Sequence, residues 1–390
     1  MKHKKTKKFT TTFALILAAL LVASSYSLQA VADSSSSTNV LRGYDEMTAS
    51  SEFTSSAPAP SHSSAPTSSS TPIPSAVPPA PHVAGEGPYV PNESGDVMVL
   101  MFHHFIDVYN GGDRKITMTL DGFRQFLQTI YDQGYRPVSM NDFLNNTINL
   151  PKGYRPIVLT FDDGWASQFS LIEVDGQYKT NPNTAVGVME QFNREHPDFE
   201  LRGMFFVNLG QGVFGKTGTV SDRLNHLVSE GFEVGNHGYK HNSLAKLDGA
   251  GIAAEIGQNQ ATMESYIPGY KFSALALPYG SNNKAQINTI ASGTYNGVPY
   301  QNQAVFLAGW KPADIPGTKE SALVTTRIVA PGLDPVDMDA TWWLRDAQKN
   351  PSRYYVSDGD PNVLTVPENK VDHLTDHTKA TRQVVVTPAI

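Results

Sequence analysis

Two adjacent carboxylates, Asp162 and Asp163, close the apolar run Val158-Leu159-Thr160-Phe161 and lead into Gly164. A buried strand that ends at an active-site rim has this pattern. Further along, His237-Gly238-Tyr239-Lys240-His241 offers two imidazoles four residues apart. One carboxylate and two imidazoles form a three-ligand set for a catalytic divalent ion such as Zn²⁺, with a position left for water or substrate. The second carboxylate is then free to act as a base on that water. Taken alone, an acidic doublet is as easily a turn or a helix cap, and a histidine pair is as easily two polar loop residues.

The elements that must position these groups alternate along the chain. Val97–Phe102 is a continuous apolar run, as expected of a strand buried on both faces. Residues 120–132 carry helical apolar spacing, and Gly134-Tyr135-Arg136-Pro137-Val138 turns into a second short strand. Residues 157–161, 203–207, 232–234 and 273–277 read as strands, with 304–307 and 323–329 as strand candidates. Residues 185–196, 222–230 (Ser221 as N-cap) and 251–266 read as helices, and 283–292 is a helix candidate. This β-α order calls for a parallel sheet closed or nearly closed into a barrel. The chemistry-bearing residues follow strand C-termini, where α/β barrels build their sites. Beyond Asp337 the pattern blurs, and residues 336–390 are expected to be a C-terminal extension packed on the barrel.

A third motif, Leu277-Pro278-Tyr279-Gly280, follows the first two in order. The three together resemble the polysaccharide deacetylase family (NodB-like, carbohydrate esterase family four), over roughly residues 95–330. That resemblance implies a distorted (β/α) barrel, a divalent metal, most often zinc, and removal of N-acetyl groups from amino sugars or, in some members, of O-acetyl groups. It matches Asp162 to the catalytic base and Asp163, His237 and His241 to the metal ligands. The backbone N–H of Tyr279 would complete an oxyanion hole. Pro278, Tyr279 and Trp310 would contact substrate, with Trp310 as one wall of the acetyl pocket; the alternative for Trp310 is an ordinary core aromatic.

Three departures accompany the resemblance, one being that the fourth motif is only partly present, since Phe306-Leu307-Ala308-Gly309-Trp310 keeps Trp310 and lacks the family's Asp. Family members carry an arginine two residues before the motif-three proline to orient the base, and this chain has Ala276 there, with no replacement evident. The Leu-x-His motif that supplies a general acid is missing from its usual late position, since Thr325-Thr326-Arg327-Ile328 holds no histidine. At the front, however, stands Leu100-Met101-Phe102-His103-His104. A strand ending in Phe-His near the start of the domain resembles the permuted poly-β-1,6-N-acetylglucosamine deacetylases. His103 is therefore expected to protonate the leaving nitrogen, with His104 as the other choice.

Composition limits the setting. Met1–Lys8 is basic, an apolar run spans residues 13–23, and Ala30-Val31-Ala32 fits a cleavage site, so residues 1–32 read as a signal peptide. An uncleaved anchor is the alternative, although the run is short for a bilayer span. Residues 33–91, rich in Ser, Pro, Ala and Thr, cannot bury enough apolar area to offset chain entropy and read as a disordered linker. The catalytic domain is then residues 92–335. With no cysteine, disulfides and thiolate chemistry are excluded. Without residues 1–32 the chain holds 25 basic against 37 acidic residues, a net −12 that argues against nucleic acid and anionic membranes.

Gly210-Gln211-Gly212-Val213-Phe214-Gly215 fits GxGxxG, but Lys216-Thr217-Gly218 continues as a loop where a dinucleotide site needs a helix. A rim loop and no nucleotide cofactor are expected. His373-Leu374-Thr375-Asp376-His377 repeats the histidine spacing without a carboxylate strand before it, and reads as polar surface. These readings describe a secreted or cell-wall-associated bacterial hydrolase, expected to be monomeric, that deacetylates peptidoglycan, poly-N-acetylglucosamine or a chitin-like glycan. An O-acetyl esterase with the same site, or a weakened wall-binding protein on the same scaffold, are the alternatives.

Overall fold

The computed structural model describes residues 87–109 and 111–390. The expected signal peptide, residues 1–32, and most of the expected linker lie outside these residues. Backbone pairing begins within the segment assigned to the linker: the Gly87 N–H donates to the Lys152 carbonyl at 2.6 Å.

Nine strands form one parallel sheet. In chain order they are β1 (Met98–Phe102), β2 (Tyr135–Pro137), β3 (Arg155–Asp163), β4 (Met204–Val207), β5 (Glu233–Asn236), β6 (Ala274–Ala276), β7 (Ala304–Phe306), β8 (Val324–Thr325) and β9 (Ile328–Val329). Their spatial order is β8-β7-β6-β5-β4-β3-β1-β9, with β2 pairing with the start of β3. A run such as Ile157–Phe161 suits this sheet, because a parallel sheet is covered on both faces.

The order also shows how the sheet curls. β8 and β9 stand at opposite ends of the strand order, yet only Thr326 and Arg327 separate them in sequence. Three Cα steps of about 3.8 Å span at most about 11 Å, so the two edges must come together. The result is the distorted barrel expected from the sequence, with one correction. The single strand read over residues 323–329 is two short strands on opposite edges, and Thr326-Arg327 bridges the seam.

Side-chain alternation along β3 sorts its residues. Leu159 and Phe161 face the main core under the helices, where Phe161 stacks on Phe205 with centroids 4.5 Å apart. Val158 faces the barrel interior, lined also by Val99, Met204, Phe206, Ala276 and Phe306. Thr160 and Asp162 continue on that inner face. Asp162 therefore rises from the floor of the barrel towards its C-terminal mouth.

Helices Leu120–Asp132, Ala185–Glu195, Val220–Ser229 and Gly249–Tyr266 follow the expected spans closely. One cap differs: Thr219, not Ser221, caps the third of these, in a reciprocal capping box with Asp222. The candidate at 283–292 is a 3₁₀ turn, Lys284–Gln286, followed by the short helix Ile287–Ala291. At the C-terminus, helix Ala340–Lys349 buries Trp343 and Leu344 in the main core, and Val363–Pro367 pairs in parallel with Gln383–Thr387.

Glu233, at the start of β5, is a buried carboxylate that receives the Met140 and Asn141 N–H groups of a neighbouring helix. Burial pushes its pKa up to about 7. A folded-state value above the unfolded one means that the folded chain holds the extra proton. Its stabilising contribution is full below about pH 4.5 and is lost as pH rises through about 7. Unfolding midpoints of Glu233→Gln, measured from pH 4.5 to 8, should fall less with pH than those of the native chain. The difference in slope is at most about 1.4 kcal/mol per pH unit.

Candidate active site

Three loops at the C-terminal mouth bring the sequence-predicted groups together. The first leaves β3. Successive strand residues point to opposite faces, so Asp162 and Asp163 should diverge. Asp163 instead has φ +78°, in the left-handed region. This uncommon conformation, costing on the order of 1 kcal/mol or more, turns its carboxylate back over the mouth. His241 (φ +59°) and Tyr279 (φ +60°) share it, so three of the mouth residues carry local strain.

Asp163 Oδ1 lies 3.4 Å from His237 Nε2 and 3.4 Å from His241 Nε2. The donor atoms of these three residues all fall within 4.8 Å of one another. His237 Nδ1 is 2.8 Å from the Ala276 carbonyl oxygen. That carbonyl can only accept, so Nδ1 carries a proton, and in the neutral ring Nε2 then presents its lone pair to the cluster. One anionic oxygen with two imidazole nitrogens is a donor set that fits a divalent transition ion. Asp163 is held well below the usual carboxylate range: burial pushes it up, but His237 and the Trp165 indole outweigh that. His241 is pushed down by burial and by His237, which keeps it neutral and able to ligate.

Asp162 lies beside this set and makes a different bond. Its two oxygens accept from Arg327 Nη1 at 2.6 Å and Nη2 at 2.7 Å, a bidentate pair in the barrel interior. Both residues are almost fully buried, Arg327 at 0 % and Asp162 at 2 % exposure. Burial alone would raise the Asp162 pKa; Arg327, His237 and His103 outweigh it and hold the group ionised. Arg327 Nη1 also donates to Thr160 Oγ1 at 3.1 Å, and the guanidinium lies 5.3 Å above the Phe206 ring.

Arg327 answers the departure at motif three. Ala276 is small and sits in the barrel interior, and the arginine comes from the seam between β8 and β9. Gly309 makes that approach possible, because a Cβ there would stand 2.3 Å from the Arg327 carbonyl oxygen. A signal existed in the sequence: an arginine inside an apolar strand pattern must find a buried partner. Which partner it finds depends on strand order, which the pattern does not contain.

His103 Nε2 lies 3.9 Å from Asp162 Oδ2. Burial lowers its pKa despite the two neighbouring carboxylates. His104 points elsewhere, with its ring centroid 4.4 Å from that of Trp165. Tyr279 is exposed and packs on His241 at 4.6 Å, while Pro278 is buried at the start of the turn. Trp310 is exposed at 59 %, so it is not a core aromatic. Its carbonyl accepts from the Trp343 indole.

Supporting groups escaped the sequence reading. The buried Glu255 carboxylate accepts from the Lys240 N–H at 2.7 Å and the Asn242 N–H at 3.0 Å, clamping the loop that carries His241. The buried amide of Gln168 donates to the carbonyls of His103 and Asp162, tying the first strand to the third. The Gly210–Gly215 stretch is a rim loop. Gly210 lies against the Tyr239 carbonyl, and Gln211 and Gly212 line a cavity of about 350 Å³ beside Asp163 and His241. His373 is a surface residue paired with Glu320 at 2.9 Å.

No curated protein matches the sequence. Among solved structures, the chain is similar to the Streptococcus pyogenes deacetylase PplD in complex with acetate (16% identity, 64% of this chain and 97% of that chain, TM-score 0.48). It is also similar to IcaB from Ammonifex degensii (21% identity, 62% and 94%, TM-score 0.43). A third is a de-N-acetylase from Aggregatibacter actinomycetemcomitans (15% identity, 62% and 96%, TM-score 0.43). The family model described as polysaccharide deacetylase matches residues 149–298, a stretch that contains all three motifs and leaves His103 and Arg327 outside it. By that match and the motifs within it, residues 149–298 are similar to the polysaccharide deacetylase family.

Proposed function

We propose that this deacetylase is a secreted, metal-dependent enzyme that removes N-acetyl groups from an amino-sugar polysaccharide of the cell envelope or extracellular matrix. The observation that carries the reading is the pairing of two unlike carboxylates at one mouth: Asp163 facing two imidazoles at 3.4 Å, and Asp162 held ionised by Arg327. A protein that only binds glycan has no use for a buried, bidentately oriented carboxylate beside a ligand set.

Asp163, His237 and His241 would hold the ion. When bound, a divalent ion supplies Lewis acidity to the acetyl carbonyl and acidifies water. The chain's own residues do the rest. Asp162 takes the proton from the attacking water, whose oxygen bonds to the acetyl carbon, and Arg327 keeps its oxygens aimed. His103 gives a proton to the departing nitrogen as the C–N bond breaks, leaving acetate and a free amine. Burial favours the uncharged His103 ring, so the proton it donates must first reach it from Asp162, 3.9 Å away, after Asp162 has taken one from the attacking water. Tyr279 and Trp310 offer exposed ring faces to a sugar.

The leader at residues 1–32 supports export, and the Ser/Pro-rich stretch after it supports a wall-spanning tether. Among the described residues no helix is long and apolar enough to cross a membrane. The supply of His103 from the first strand makes poly-β-1,6-N-acetylglucosamine the first glycan to test.

Acetate release should be compared on that polymer, peptidoglycan, chitin oligomers and an O-acetylated glycan, together with metal content. The native protein is expected to carry about one divalent ion and to release acetate from at least one N-acetylated glycan. His237→Ala is expected to lose the ion. Release from the O-acetylated substrate alone would replace the amidase reading with an esterase, and unchanged metal content in His237→Ala would defeat the ligand assignment.

A further inference from the structure

Trp165, two residues beyond Asp163, is unusual for an exposed tryptophan. Its ring is 45 % exposed at the mouth, yet its indole N–H is committed, donating to Asp163 Oδ2 at 2.9 Å. The other carboxylate oxygen, Oδ1, faces both histidine nitrogens at 3.4 Å. The indole is in turn braced from behind by the His104 ring, with centroids 4.4 Å apart and planes at 48°. The same side chain lines the cavity of about 350 Å³ next to Asp163 and His241.

We propose that Trp165 is a positioning residue of the metal site. By occupying Oδ2 it presents Asp163 to the ion through Oδ1, and the strained backbone at Asp163 is held in place from the side-chain end. A carboxylate free to rotate would offer either oxygen or both, and its φ of +78° leaves the backbone with little to gain by staying put. Hydrogen bonds to a ligating group orient it, and their removal typically lowers metal affinity about 10- to 100-fold. His104 contributes by packing against the ring. This inference rests on the reading of Asp163, His237 and His241 as a metal site.

The test uses the mature chain and Zn²⁺ itself. Affinity is measured by competition with a chelating dye for the native protein, Trp165→Phe and Trp165→Gln, with circular dichroism and unfolding midpoints as checks on folding. Phe keeps the ring that packs on His104 and loses the N–H; Gln loses the ring and keeps an N–H. The expected result is a loss of about 10- to 100-fold in Zn²⁺ affinity for Trp165→Phe, partial recovery in Trp165→Gln, and acetate release by Trp165→Phe that returns when Zn²⁺ is raised. Unchanged Zn²⁺ affinity in Trp165→Phe, with only a higher KM for glycan, would overturn the proposal and leave Trp165 as a sugar platform. Should the native chain itself bind no Zn²⁺, the metal-site reading fails first, and the two failures are told apart by that control.

Discussion

Asp162→Asn is expected to abolish acetate release, by about 10²- to 10⁴-fold, the usual worth of a positioned general base, while the protein keeps its metal. The two effects separate because the proposed mechanism gives the two aspartates different work. Asp162 Oδ2 is 3.9 Å from His237 Nε2, whereas Asp163 Oδ1 is 3.4 Å from both imidazoles. An amide at position 162 still fills the space above Thr160 but cannot take a proton. The check is metal content by elemental analysis beside acetate release at saturating glycan. Retained release with a folded protein would remove Asp162 from the chemistry. Loss of the ion in the same variant would mean that the division of labour between the carboxylates is wrong.

The second large effect is expected at Arg327. Its guanidinium neutralises a carboxylate that is buried on every side, so Arg327→Ala leaves that charge without a partner. Breaking a buried pair in this way typically costs about 3–5 kcal/mol. Arg327→Lys should recover only part of this, since an ammonium cannot donate in parallel to both oxygens. Activity should fall with a signature beyond mere instability. Arg327 is among the groups that hold the Asp162 pKa down. Without it, burial pushes the carboxyl up, and the acidic limb of the pH–rate profile moves to higher pH.

The stability effect has the matching sign. A depressed carboxyl pKa stabilises the fold above its unfolded value and loses that contribution as pH falls. Native stability therefore declines on acidification through this pair, and the Arg327→Ala protein lacks that decline. Pairing Asp162→Asn with Arg327→Met should restore part of the unfolding midpoint lost in either single variant, because no lone charge remains buried, without restoring acetate release. If the pH–rate profile of Arg327→Lys matches the native one, Arg327 is a structural ion-pair partner and does not tune the base.

How much of this was legible beforehand depends on the range of each interaction. The β-α order, the strand that delivers Asp162 and the histidine pair all follow from local patterns: apolar runs, helical spacing and residues a few positions apart. The resemblance also named His103, since a motif survives moving to the other end of the chain. Glu255, Gln168 and Trp165 escaped because each acts through a hydrogen bond to a loop whose shape is not written in its own sequence. The left-handed turn at Asp163, which swings two adjacent carboxylates to one mouth, could not be read from an Asp-Asp-Gly string that equally suits a cap.

By itself, then, the amino-acid order determined which groups exist and on which strand ends they stand. Only the tertiary structure decided which of them meet. Arg327 makes the case most sharply: 165 residues separate it from Asp162, and a run of seven residues that looked like one strand splits across the seam of the barrel to deliver it. Closure of a curled sheet joins edges that are remote in sequence, and the identity of the joined edges is a property of strand order. The low dielectric inside the closed barrel then makes the meeting consequential, because a buried carboxylate there must find a cation.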